Sequence, residues 1–126
     1  MEPLPVTPPR GSVLGKLPPP ADEERFEVLL ETPFGRVERI VSYGHASPPG
    51  FWYEQAEDEW VLLAAGSAAL AFEDGTRLTL AAGDWITLPA RQRHRVDAVS
   101  DDAVWVAVHL RTGDAEDERQ DSATAG

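Results

Sequence analysis

The chain has 126 residues, 42% of them hydrophobic and 26% charged, with a formal net charge of −11 and no cysteine. That length supports one domain with a real core and leaves too little for two. The acidity argues against nucleic acid and anionic membrane surfaces, which are held by clustered Lys and Arg, and the missing cysteines exclude disulfides, thiolate zinc sites and cysteine nucleophiles.

Residues 1–20 hold seven of the eleven prolines, a density that blocks helix and sheet pairing, so residues 1–21 are expected to be an extended or disordered arm. This start lacks the basic cluster and continuous apolar stretch of a secretory signal. No apolar run approaches the roughly 18 residues of a membrane helix either, and the expected address is cytoplasmic. Residues 22–32 (DEERFEVLLET) fit two patterns: Phe26, Leu29 and Leu30 make a helical face capped by Asp22, while Phe26, Val28 and Leu30 make a strand face. Pro33 ends the segment in both cases. Residues 37–43 predict a strand, and residues 44–50, with two prolines, a loop.

From Phe51 onward the pattern is β. Runs at 59–65 and 67–72 break at Gly66, and Asp74-Gly75 predicts a two-residue hairpin into 77–81. Further strands are expected at 84–88, 93–99 and 103–110, separated by Pro89 with the residues after it and by Ser100-Asp101-Asp102. Short, evenly spaced strands without a long helix predict an all-β antiparallel barrel or sandwich over residues 22–111. The runs EWVLLAA and AVWVAVHL are apolar on both parities, so their outer faces need cover from the arm or from a second copy; a homodimer is expected. The tail from Thr112 is acidic and without apolar period, which predicts disorder.

Two stretches carry candidate chemistry. One is FWYEQAEDEWVLLAAG (51–66), two apolar runs around an acidic segment; the other is GDWITLPARQRH (83–94), which ends on His94. Gly83, five residues, Pro89, one residue, Arg91, two residues and His94 form a spaced framework, and so do Glu59, six residues and Gly66. On these motifs the chain resembles the cupin superfamily, small single-domain jelly-roll β-barrels of the cupin 2 type, over roughly residues 36–110. Against that family Arg91 stands where Gly is usual and Ala98 where Asn is usual. The upstream His-x-His is replaced by Tyr53 and Gln55 or, in the other register, by Trp52 and Glu54. Side chains two or four apart share a strand face, which favours Tyr53 and Gln55 and keeps Glu54 in reserve behind a bulge.

The resemblance implies a cavity in which Gln55, Glu59 and His94 hold a divalent metal ion of open identity, Mn, Fe, Zn or Ni. Such a set is oxygen-rich and poorer in imidazole than an iron oxygenase site. Phe51, Trp52, Tyr53, Trp85, Glu54 and His109 are the expected pocket residues. His109 shares a face with Trp105 and Ala107, and parity alone leaves open whether that face lines the cavity. Glu57 and Asp58 are expected to be solvated, His45 to be exposed in its loop, and Arg91, Arg93 and Arg95 to point away from His94 into solvent, with Arg91, at a motif position, also able to reach an anionic ligand. No phosphate-binding glycine loop, nucleophile elbow or paired-His helix occurs. Three functions remain: a metal-dependent isomerase, decarboxylase or oxidoreductase acting on a small organic molecule; a metal-free binding or sensing module that has lost catalysis; and a dimeric interaction protein, which predicts a filled barrel without a pocket at the motif residues.

Overall fold

A computed structural model describes residues 7–111; the expectations for residues 1–6 and for the acidic tail from Thr112 lie outside them. The described residues form eight strands and no helix: β1 (Arg25–Thr32), β2 (Gly35–Ser42), β3 (Asp58–Ala65), β4 (Ser67–Phe72), β5 (Arg77–Ala81), β6 (Trp85–Leu88), β7 (His94–Val99) and β8 (Ala103–Leu110). Five build one sheet, in the order β1-β2-β8-β3-β6, and three build the other, β5-β4-β7; every pairing is antiparallel. The two inner faces close into a barrel.

The strand reading of residues 22–32 prevails over the helical one because the segment finds a partner: Arg25–Thr32 pairs antiparallel with β2 from Val41 back to Gly35, turning at Pro33-Phe34. The hairpin from β4 to β5 differs from the two-residue turn expected at Asp74-Gly75. Phe72 N donates to Thr76 O (2.9 Å) and Gly75 N to Phe72 O (3.0 Å), enclosing three residues. Gly75, at φ +94°, takes the left-handed position that such a three-residue loop reserves for glycine.

Alternation sets the inside. In β3, Glu59, Val61 and Leu63 point inward, and Leu63 is fully buried. Val61 and Leu63 join Leu70 and Phe72 of β4, Leu88 of β6 and Trp105 and Ala107 of β8 in the core. Burial of each large side chain contributes roughly 1.5–3 kcal/mol before entropy is counted. Trp105 therefore points into the barrel, away from the outer face of its sheet.

Part of that outer face is covered by the arm. Arg39, 8% exposed, sends its guanidinium to the carbonyls of Val13 (3.1 Å) and Gly15 (2.8 Å) and pairs with Glu27 at 2.8 Å. Tyr43 Oη donates to Pro18 O, and His45 Nε2 lies 3.1 Å from Ala21 O. Val41 and its register neighbour Val104 are buried on this face. Farther along, Trp60 and Leu62 stay half-buried and Trp85 is 60% exposed.

Candidate functional site

The site begins with a segment that is not a regular strand. Residues 51–57 lie against the start of β7: Tyr53 N donates to His94 O (2.7 Å), His94 N to Tyr53 O (3.1 Å), and Arg91 N to Gln55 O (2.7 Å). This bridge sets Tyr53 and Gln55 at the edge of the barrel. The Tyr53 ring stacks on the His94 imidazole, 5.7 Å between centroids, and Phe51 meets Tyr53 edge-on at 4.8 Å. Asp58 accepts from Ala90 N at 2.8 Å, fixing the entry to β3 against the bend after β6. It is thereby an anchor, where solvation was expected.

Tyr53, Gln55, Glu59, His94 and His109 all line one cavity of about 240 Å³. The roughly 300–1,000 Å³ of drug-sized ligand pockets lies above this, so the space suits a small metabolite. The open question of parity in β8 is answered: the Trp105 and His109 face lines the cavity. Phe51, Trp52, Glu54 and Trp85 are not among the lining residues. Trp85 pairs in register with Leu62 on the outer face and packs on Trp60, ring centroids 6.0 Å apart. Glu54 instead faces Arg93 at 3.5 Å. Of the arginines, Arg93 also pairs with Glu73 at 2.5 Å, while Arg95 is drawn in to Ser47 O at 3.1 Å. His45 is half-buried and uses both ring nitrogens, accepting from Tyr43 N at Nδ1 and reaching Ala21 O with Nε2.

Four residues of the site escaped the sequence: Glu24, Arg36, Glu38 and Glu57. Arg36 and Glu38 of β2 line the cavity, brought there because β2 pairs with β8 so that Arg36 faces His109 and Glu38 faces Ala107. Glu57, expected in solvent, joins them. His109 Nε2 stands 3.2 Å from Glu38 Oε1 and 3.9 Å from Glu59 Oε2, and Nδ1 is 3.8 Å from Glu57 Oε1. Arg36 bridges Glu38 (3.5 Å) and Glu57 (3.2 Å). The signal that could have found Arg36 and Glu38 is their shared parity with Ile40 in RVERIVS (36–42), which places both charges on one face of the strand.

Electrostatics in this cluster favour neutral imidazoles and a reluctant carboxylate. Burial, reinforced by the negative charges of Glu38 and Glu57, pushes the Glu59 carboxyl up to about 7 against the pull of Arg36. Glu59 is 9% exposed, and its Oε1 has no hydrogen-bond partner among the described residues. Burial lowers His94, partly offset by the Gln92 carbonyl at Nδ1 (3.1 Å). Burial and the Arg36 charge lower His109, against Glu38 and Glu57. Glu24, at the same cavity, is raised by burial, and Tyr53 is raised by burial and by the Glu24 charge.

A resident metal ion would have to draw on the Gln55 amide oxygen as well as on Glu59 and His94. Gln55, Glu59 and His94 share the cavity, but no three His, Asp or Glu side chains among the described residues gather as ligands. The Arg36 guanidinium already supplies positive charge to the carboxylates.

A pair of antiparallel sheets around a cavity walled by strands from both defines a small β-barrel. The chain belongs to the cupin family: residues 40–109 match the family model described as Cupin domain. It is similar to a Ralstonia eutropha JMP134 protein, described in its crystal structure as a "putative mannose-6-phosphate isomerase", with 41% identity, 83% of this chain and 100% of that one covered, and a TM-score of 0.80. A cupin superfamily protein from Desulfitobacterium hafniense DCB-2 shares the fold at 16% identity, covering 75% of this chain and 84% of that one, TM-score 0.65. So does a Klebsiella pneumoniae protein with a double-stranded β-helix domain, at 20% identity, 82% and 90% covered, TM-score 0.66. No curated protein matches the chain.

Proposed function

We propose that the chain binds a small organic molecule in the barrel and moves a proton on it, in isomerase-type chemistry, with Glu59 as the acid–base group. The observation that carries this reading is the buried Glu59 carboxyl, pushed up to about 7 and facing the cavity with one oxygen unpartnered among the described residues. A group that titrates near the working pH is present in both forms, which is what a residue that takes a proton and returns it requires. Ionised Glu59 would take the proton from a carbon beside a carbonyl, the C–H electron pair moving to form an enediol with the carbonyl oxygen protonated. The Tyr53 hydroxyl, or the His94 ring as it donates or accepts, would serve that oxygen. Returning the Glu59 proton to the former carbonyl carbon, while the hydroxyl on the first carbon gives its proton back to the group that protonated the carbonyl oxygen, completes the shift with no atoms gained or lost. The likeness to the Ralstonia eutropha protein supports the isomerase class.

The test is a pH titration of ¹³C-labelled Glu carboxyls by NMR, assigned through Glu59→Gln, together with deuterium uptake at C2 of aldoses in D₂O. A Glu59 signal titrating near 7 and uptake lost in Glu59→Gln are expected. Titration at the ordinary value of 4.5 overturns the reading.

A divalent ion on Gln55, Glu59 and His94 is the second reading. It is favoured by the His94 ring, whose Nδ1 proton is held by Gln92 so that Nε2 is left as the lone-pair nitrogen, the form in which imidazole binds metals. It predicts close to one metal per chain in untagged protein, lost in the Glu59→Ala/His94→Ala variant.

A further inference from the structure

We infer that the ligand of this cavity is a small organic cation, a hydroxylated amine whose ammonium group lies among the carboxylates, and that phosphorylated molecules are refused. The inference rests on the small-molecule reading above and names its ligand class. Glu24, Glu38 and Glu59 line the cavity, and Arg36 is the sole Arg or Lys among the described residues that does. Arg36 is engaged twice over, at Glu38 (3.5 Å) and Glu57 (3.2 Å). No cation among the lining residues is left to receive a phosphate. Such a dianion would also confront three carboxylates in a confined space where charges are poorly screened.

Positive charge meets the opposite reception. Glu59, nine-tenths buried, directs at the cavity a carboxylate oxygen with no partner among the described residues. An ammonium there would satisfy that oxygen with a charge-assisted hydrogen bond. The walls complete the fit: Phe26, Tyr53 and Trp105 present aromatic surface, which favours a cation over its neutral counterpart. The shortage of three gathered His, Asp or Glu ligands among the described residues turns the choice from a bare metal ion to a cation that brings its own hydrogen-bonding shape.

The experiment is thermal unfolding of the full chain with matched probes: glucosamine, glucose and mannose 6-phosphate, then 3-amino-1-propanol and 1,3-propanediol, then MnCl₂ alone. The amines are expected to raise the melting temperature and to bind roughly tenfold or more tighter than their alcohol counterparts, the loss expected when a charged hydrogen bond is removed. Mannose 6-phosphate is expected to leave the melting temperature unchanged. The Glu38→Gln variant, folded by circular dichroism, should lose much of the amine preference. Equal or stronger stabilisation by an alcohol or by mannose 6-phosphate overturns the inference, as does a response to Mn²⁺ without one to amines, or no response to any probe. The Glu59 titration is measured without ligand, so a normal value there marks failure of the acid–base reading separately from failure of the ligand class.

Discussion

A carboxyl that holds its proton to about pH 7 inside the fold makes stability depend on pH in a definite window. Below the ordinary value of 4.5, Glu59 is protonated in both the folded and unfolded chain and costs nothing. Between 4.5 and about 7 the folded state keeps a proton that the unfolded chain releases, so stability falls as pH rises through that window and levels off above it. The shift corresponds to at most about 3 kcal/mol. Glu59→Gln should therefore match the parent below pH 4.5 and exceed it by up to about 3 kcal/mol above pH 7, read from urea unfolding at each pH; an equal difference at both would contradict the raised carboxyl. At Gly66 the expectation is steric. The residue has φ +86°, and an added Cβ would come within 2.5 Å of Ser100 Oγ and 2.8 Å of Ala103 Cα. Gly66→Ala should cost roughly 1–3 kcal/mol, measured as a lower urea midpoint at unchanged slope. Glu59 and His94 were legible because spaced glycines and proline mark their positions. Arg36, Glu38 and Glu57 were not, since a charge on a strand looks solvated until its partner across the sheet is known.

Among the elements, the arm and β2 depend on each other through Arg39. A side chain so deeply covered is held by carbonyls of the arm on one side and Glu27 on the other, and removing it leaves those acceptors unmet. Arg39→Ala should lower stability by about 2 kcal/mol or more and speed tryptic cleavage after Lys16, monitored by mass spectrometry. Cleavage at the parent rate would show that the arm holds its place by other contacts. Proline content alone spoke for an extended segment but could not supply the anchor, which lies 24 residues away at Gly15–Arg39. The β4–β5 connection shows the complementary case. Asp-Gly identified the turn, whereas its length was decided by Phe72 and Thr76 pairing across it. Periodicity left β1 undecided between helix and strand because its side chains are exposed along the whole length, so burial imposes no period on it.

For the molecule as a whole, the uncovered surface predicts self-association. Beyond the arm, the outer face of the five-stranded sheet carries half-buried Trp60, Leu62, Val106 and Val108, with exposed Trp85 and Leu110, an apolar face of the kind that marks association sites. Light scattering after size exclusion should give twice the 13.7 kDa chain mass, and Trp85→Glu should shift it toward the single-chain value; a parent protein of single-chain mass counts against the dimer. The barrel itself was readable from turn residues and strand runs. Which of its faces carry chemistry depended on sheet order, and pairing of β2 with β8 is a relation between residues some seventy positions apart in sequence. The placement of the tryptophans has a spectroscopic consequence. Trp105 is the tryptophan that lines the cavity, as His109 does, whereas Trp60 and Trp85 pack together at a tilt on the opposite side of the sheet. Emission from single-tryptophan variants would thus separate two events that a melting curve merges: occupancy of the barrel would register in Trp105, and contact between chains in the outer pair.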